Sequence, residues 1–125
     1  MAIWDADGRV RNATPREIAD GLKIIVDGLR KVKFSEQVYS NLRSEYVSNH
    51  EGLILSEIAE KIPEATKMDI AKVVGQLEIS KIVEHYLKPV EGGRQKVAYK
   101  LNLGSGFLYK FDALMGYNDS SDLLL

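Results

Sequence analysis

Two groups of residues in this chain have types and spacing suited to holding a polyanion. Lys67, Met68, Ala71, Lys72, Gly75 and Gln76 recur at helical intervals, and Arg94, Gln95 and Lys96 follow directly on Gly92-Gly93. Lysine and arginine answer phosphate oxygens, lysine also reaches guanine, and glutamine can pair with the edge of adenine. This is the chemistry of recognition, because none of these groups sits beside a nucleophile or a general base. Net charge over the whole chain is −1, yet residues 61–100 hold eight Lys and Arg against five Asp and Glu, a local excess of +3. The local field governs phosphate contacts.

The elements that must position these groups are legible nearby. Leu55, Ile58, Ala59 and Ile62 fall at i, i+3, i+4 and i+7, one apolar helical face, and Pro63 ends that helix by pushing its predecessor out of the α region. Thr66 is placed to cap a second helix, with Asp69 in the first turn where the helix dipole favours a negative charge. Ile70, Val73, Val74 and Leu77 form its apolar face, which leaves the candidate contact residues on the opposite side. Ile82, Val83, Tyr86 and Leu87, then Val97, Tyr99 and Leu101 in alternation with polar residues, read as two strands. Pro89 and Gly92-Gly93 punctuate the segment between them and predict a hairpin with a basic tip. Lys88 and Lys100 add to its charge.

This order resembles the winged helix-turn-helix transcriptional regulators. SEIAEKI (56–62) is similar to their second helix and TKMDIAKVVGQLE (66–78) to their recognition helix. KIVEHYL (81–87) is similar to the strand that follows, and EGGRQKVAYKL (91–101) to the wing and its return strand. The likeness covers about the middle half of the chain, and many members carry glycine where Lys81 stands. The resemblance implies an α+β, mostly α fold, a three-helix core with a hairpin wing, here extended by an N-terminal helix and a C-terminal amphipathic segment. It implies that Thr66, Lys67 and Met68 meet double-stranded DNA at the helix N-terminus, that Ala71, Lys72 and Gln76 approach base edges, and that Arg94, Gln95 and Lys96 hold the backbone or enter the minor groove. The same fold also serves protein contacts, so an interaction module within a larger transcription, replication or host-takeover assembly is the alternative.

Flanking segments complete the expectation. Thr14-Pro15-Arg16-Glu17 is a helix start, with a capping threonine, proline at the first position and a glutamate able to close a capping box. Ile18, Leu22, Ile25, Leu29 and Val32 then recur at alternating spacings of four and three, a heptad seam with Gly21 and Gly28 beside it, and predict a homodimer interface. Ser35 is placed to cap a third helix through about residue 49, stapled by Phe34 and Tyr39, with Val38, Leu42, Tyr46 and Val47 inward. Leu53-Ile54-Leu55 is a short strand for the hairpin to pair with. After Gly104-Ser105-Gly106, the residues Phe107, Leu108, Phe111, Leu114 and Met115 share one helical face that covers the core or a partner subunit, or else docks a separate protein. The expected division is 1–33, an arm and dimerisation helix; 34–103, the winged helix; and 104–125, the amphipathic segment and tail.

Exclusions narrow the field further. At 125 residues the chain supports a single hydrophobic core. It has no cysteine, which removes disulfides and thiolate chemistry. Its two histidines, His50 and His85, have no companions at metal-ligand spacing. No enzyme and no cofactor is therefore expected. No apolar run approaches the ~20 residues of a bilayer span, and MAIWDADGR lacks a basic-then-apolar leader. A cytoplasmic protein is expected.

Overall fold

The computed structural model describes residues 2–4, 10–12, 14–117 and 120–124, and side chains from Thr14 onward except those of residues 15, 18, 19, 120 and 124. Two short antiparallel strands, β1 (Ala2–Trp4) and β2 (Val10–Asn12), pair Ile3 with Arg11. They precede α1 (Pro15–Arg30), whose start follows the local code. Thr14 Oγ1 accepts from the Glu17 N–H at 3.2 Å, and Glu17 Oε1 accepts from the Thr14 N–H at 3.0 Å.

Helix α2 (Ser35–Asn49) begins differently from expectation. Its cap is Phe34, in the left-handed region at φ 67° with no side-chain cap, and Ser35 lies buried in the first turn. The reason is where the helical bonding starts: the Phe34 carbonyl takes the Val38 N–H, which places Ser35 inside the first turn, where its own N–H is bonded to the Val32 carbonyl. Inward residues include Tyr39 and Arg43 as well as Val38 and Leu42.

The next elements are β3 (Leu53–Ile54), α3 (Leu55–Lys61) and α4 (Lys67–Ile79). Ile62, before Pro63, lies outside the helical region at φ −130° and ψ 76°, so the proline ends α3 as its sterics require. Helix α4 opens with a capping box between Thr66 and Asp69 and buries Ile70, Val73, Val74 and Leu77. Its end is a Schellman motif: the Ile82 N–H reaches the Leu77 carbonyl and the Lys81 N–H reaches the Glu78 carbonyl. That motif puts Lys81 at φ 60°, the left-handed conformation that glycine adopts without cost.

Strands β4 (Val83–Pro89) and β5 (Gln95–Leu101) form the hairpin, in register from Val83 opposite Leu101 to Pro89 opposite Gln95. A single 3-10 turn over Glu91–Gly93 joins them, with Gly92 and Gly93 at positive φ. The sheet order is β3-β5-β4, so Pro89 lies on an edge strand, where its missing N–H is tolerated. Gly52 precedes β3 because nothing larger fits: a Cβ there would stand 2.1 Å from the Tyr99 carbonyl oxygen.

After the hairpin, α5 (Leu108–Leu114) and a 3-10 turn (Ser120–Leu124) return to the core. One cluster holds Val26 and Leu29 from α1, Leu42 from α2, Ile58 from α3, Leu77 from α4, Leu101 from β5, Phe111 from α5 and Leu123. The arm, the middle and the C-terminal segment therefore share a single core. The described architecture is α+β and mostly helical, compatible with the layout expected for the middle of the chain.

Helix α5 is fastened to α2 by polar groups that have no sequence proximity. Asp112 is fully buried and accepts from the Tyr39 hydroxyl at 2.6 Å and from Arg43 Nε at 2.8 Å and Nη2 at 3.2 Å. The guanidinium also lies 4.1 Å from the centre of the Tyr117 ring. Burial, then the hydrogen bond to Asp112, push the Tyr39 phenol far above its ordinary range. Burial opposes the Arg43 charge, but the hydrogen bonds and charge of Asp112 outweigh it and raise the guanidinium above its ordinary value.

Candidate nucleic-acid interface

With one face of α4 committed to the core, its other side is solvated. Lys67, Met68, Ala71, Lys72 and Gln76 are all exposed, Met68 at 84%. Gly75 lies among them with open space where a Cβ would be, so another surface can approach the α4 backbone closely there. No ion pair engages Lys67 or Lys72 among the described residues.

The N-terminus of α4 is partly spoken for. Thr66 Oγ1 accepts from the Asp69 N–H at 3.1 Å, and Asp69 Oδ2 accepts from the Thr66 N–H at 3.0 Å. The backbone hydrogen bond from Thr66 holds the Asp69 carboxyl below its ordinary range, helped by the charges of Lys33 and Lys72. A charged carboxylate thus already occupies the positive end of the helix. Any phosphate arriving there has the hydroxyl proton of Thr66 and the ammonium of Lys67 to meet it. Lys33 is an addition that the sequence did not announce. It lies in the turn between α1 and α2, and its charge helps to hold the Asp69 carboxyl low, of which its position at the end of the N-terminal arm gave no sign.

On the hairpin, the cations sort by distance from the tip. Lys88 is drawn back onto the body, where its Nζ donates to the Gly52 carbonyl at 2.9 Å and to Glu57 Oε1 at 3.3 Å. Lys100 lies 3.7 Å from Glu84 Oε1 and 5.0 Å from the Tyr86 ring centre. Arg94, Gln95 and Lys96 are exposed, and no ion pair binds either cation among the described residues. Of the hairpin's cations, Lys88 and Lys100, expected to add to its charge, are engaged within the chain, and those of the tip are not. Glu78 and His85 close the joint between α4 and β4 at 2.9 Å. Glu84 and His85 engage different partners, as opposite faces of a strand require.

The expected dimer seam is divided. Leu22 and Leu29 are buried in the chain's own core, which takes them out of an exposed seam, whereas Val32 is half-buried, packed against that core and still lining a groove beside Ile24 and Ile25. Ile25 remains 39% exposed, while the side chain of Ile18 lies outside the described residues. The C-terminal segment is likewise used internally: Leu108, Phe111 and Met115 are buried, Phe107 packs against the core, and Leu114 faces outward. The buried face of this segment thus covers the chain's own core, the first of the roles expected for it.

Among the described residues, no His, Cys, Asp and Glu cluster could hold a metal ion, and no helix is long and apolar enough to cross a membrane. The arrangement on α4 and at the hairpin tip offers hydrogen-bond donors and fixed positive charge. Comparison with protein-family models, with curated proteins and with solved structures yields no match for this chain.

Proposed function

We propose that this chain is a winged helix-turn-helix protein that binds double-stranded DNA, as a transcriptional regulator does. Helix α4 enters the major groove with Lys72 and Gln76 toward base edges, and the hairpin tip lies on the neighbouring backbone through Arg94 and Lys96. One observation carries this reading: the charged residues nearest the body of the hairpin are paired internally, whereas those on the outer side of α4 and at the tip are not. Four such cations, Lys67, Lys72, Arg94 and Lys96, limit the phosphates neutralised to about four, for which the affinity should fall roughly 100-fold between 50 and 200 mM salt.

Titration of the full chain with a mixed-sequence duplex at those two salt concentrations is the test. Loss of affinity on that scale supports the reading, and absence of duplex binding at either concentration overturns it. A second reading, a winged helix that docks on protein, draws on the exposed pair Leu87 and Val97, which face each other across the hairpin, together with Met68. Apolar groups of this kind add little to phosphate contact and more to a protein interface. That reading is favoured if the duplex titration is flat.

A further inference from the structure

Helix α1 and the C-terminal end of α4 enclose an open groove of about 480 Å³, lined by Ile24, Ile25, Gly28, Val32 and Ile79 among others. Three isoleucines project here into solvent, Ile24 at 72%, Ile79 at 79% and Ile25 at 39% exposure. They form a cluster that the chain's own core does not use, and clustered exposed apolar groups mark a contact surface. Gly28 adds to this. Beyond its chain neighbours and its own helix backbone, a Cβ there would meet no atom of the described residues within 4 Å, so no packing contact calls for the poorest helix former short of proline.

What covers this face can be read from its symmetry. From the bond between Ile24 and Ile25, the chain reads outward to Gly21 on one side and Gly28 on the other, each three residues away. The two glycines are seven residues apart and so share one helical face. A second α1 laid antiparallel about a two-fold axis at that bond sets Gly21 against Gly28 of the other copy, and the two backbones can approach closely. Charges follow the same symmetry. Asp20 and Lys31 lie eleven residues apart, on the flank that also carries Ile24, and in an antiparallel pair like flanks face each other. The axis brings Asp20 of each copy to within about 3 Å, along the helix direction, of Lys31 of the other. Both are exposed, and neither has an ion-pair partner among the described residues. An unrelated apolar helix would have no need of this reciprocal order.

We propose that two copies of this chain associate through α1 in antiparallel fashion, Gly21 against Gly28, with Ile24, Ile25 and Ile79 filling the seam and two Asp20–Lys31 ion pairs at its rim. The groove is also lined by Gln76, which the DNA reading assigns to base edges, so the pairing is tested in the absence of DNA, where it stands or falls separately from that reading.

Sedimentation of the full chain over micromolar concentrations, with its variants, is the test. The parent should be dimeric in this range. Ile24→Lys with Ile79→Lys, both at exposed positions, should raise the dissociation constant at least roughly tenfold with helical content unchanged. Asp20→Lys and Lys31→Asp should each weaken the dimer, and the two together should restore it, because each reversed charge then meets its reversed partner. A parent that stays monomeric throughout, or a dimer in which the double reversal is as weak as the single ones added together, overturns the proposal. The second result would point to a different seam.

Discussion

At the junction of α2 and α5 the charged and polar groups are consumed internally, whereas on the outer side of α4 and at the hairpin tip they are left to solvent. Asp112 takes three hydrogen bonds from Tyr39 and Arg43 in full burial, and no buried side-chain polar atom among the described residues lacks a partner. Lys67, Lys72, Arg94 and Lys96 are exposed cations outside every described ion pair. The difference separates two roles for the same chemistry. A buried, fully partnered charge fixes one arrangement of elements and is costly to disturb. An exposed and unpaired one contributes little to folding and keeps its capacity for an external anion.

Removing Asp112 should give the largest effect. Asp112→Ala strands the Arg43 charge in the interior, and the expected loss is about 3–5 kcal/mol in denaturant unfolding. That is a large share of the ~5–15 kcal/mol typical of a domain. A variant of near-parental stability would erase the distinction between the two regions. Lys72→Ala and Gln76→Ala probe the other side. Each should leave the unfolding midpoint in place and reduce discrimination among duplex sequences by about 1–3 kcal/mol, read by selection from random duplexes. Retention of the parental preference by both would remove α4 from base reading.

The two regions also differed in how far the sequence disclosed them. Thr14-Pro15-Arg16-Glu17, Thr66 with Asp69, and Gly92-Gly93 carry signals within four residues, and the helix starts and the hairpin appear where those signals fall. The inner face of α4 was legible for the same reason, since a period of 3.6 needs no distant partner. Asp112 gave no such sign, because Tyr39 and Arg43 lie 73 and 69 residues away, and a carboxylate in an amphipathic segment reads as solvated. Leu22 and Leu29 show a related limit: helical periodicity marks a face for burial without saying whether the cover is the chain itself or another copy. Lys88 and Lys100 look like free cations in sequence and acquire partners only when Gly52, Glu57 and Glu84 are brought beside them. Phe34 capped α2 in place of Ser35 because the Phe34 carbonyl already takes the Val38 N–H, which leaves Ser35 inside the first turn.

Smaller effects sharpen the account at the two ends of α4. Lys81 holds a left-handed conformation at the Schellman turn, so Lys81→Gly should stabilise the chain by about 1 kcal/mol in thermal or chemical unfolding, without loss of DNA affinity. At the other end, the folded-state pKa of Asp69 is lowered, so its contribution is fully present above the ordinary aspartate value and is lost as pH falls through the folded one. Asp69→Asn keeps an acceptor for the Thr66 N–H and should flatten that acid limb of the stability profile. An unchanged limb would assign it to other carboxylates.

The central claim is that the free cations at the hairpin tip meet phosphate, and its most direct test is the salt dependence of duplex binding by the parent and by Arg94→Ala with Lys96→Ala. The parent should give a slope of log affinity against log salt of roughly −4, and the double variant roughly −2, with the same unfolding midpoint. A folded double variant with the parental slope and affinity would contradict the account.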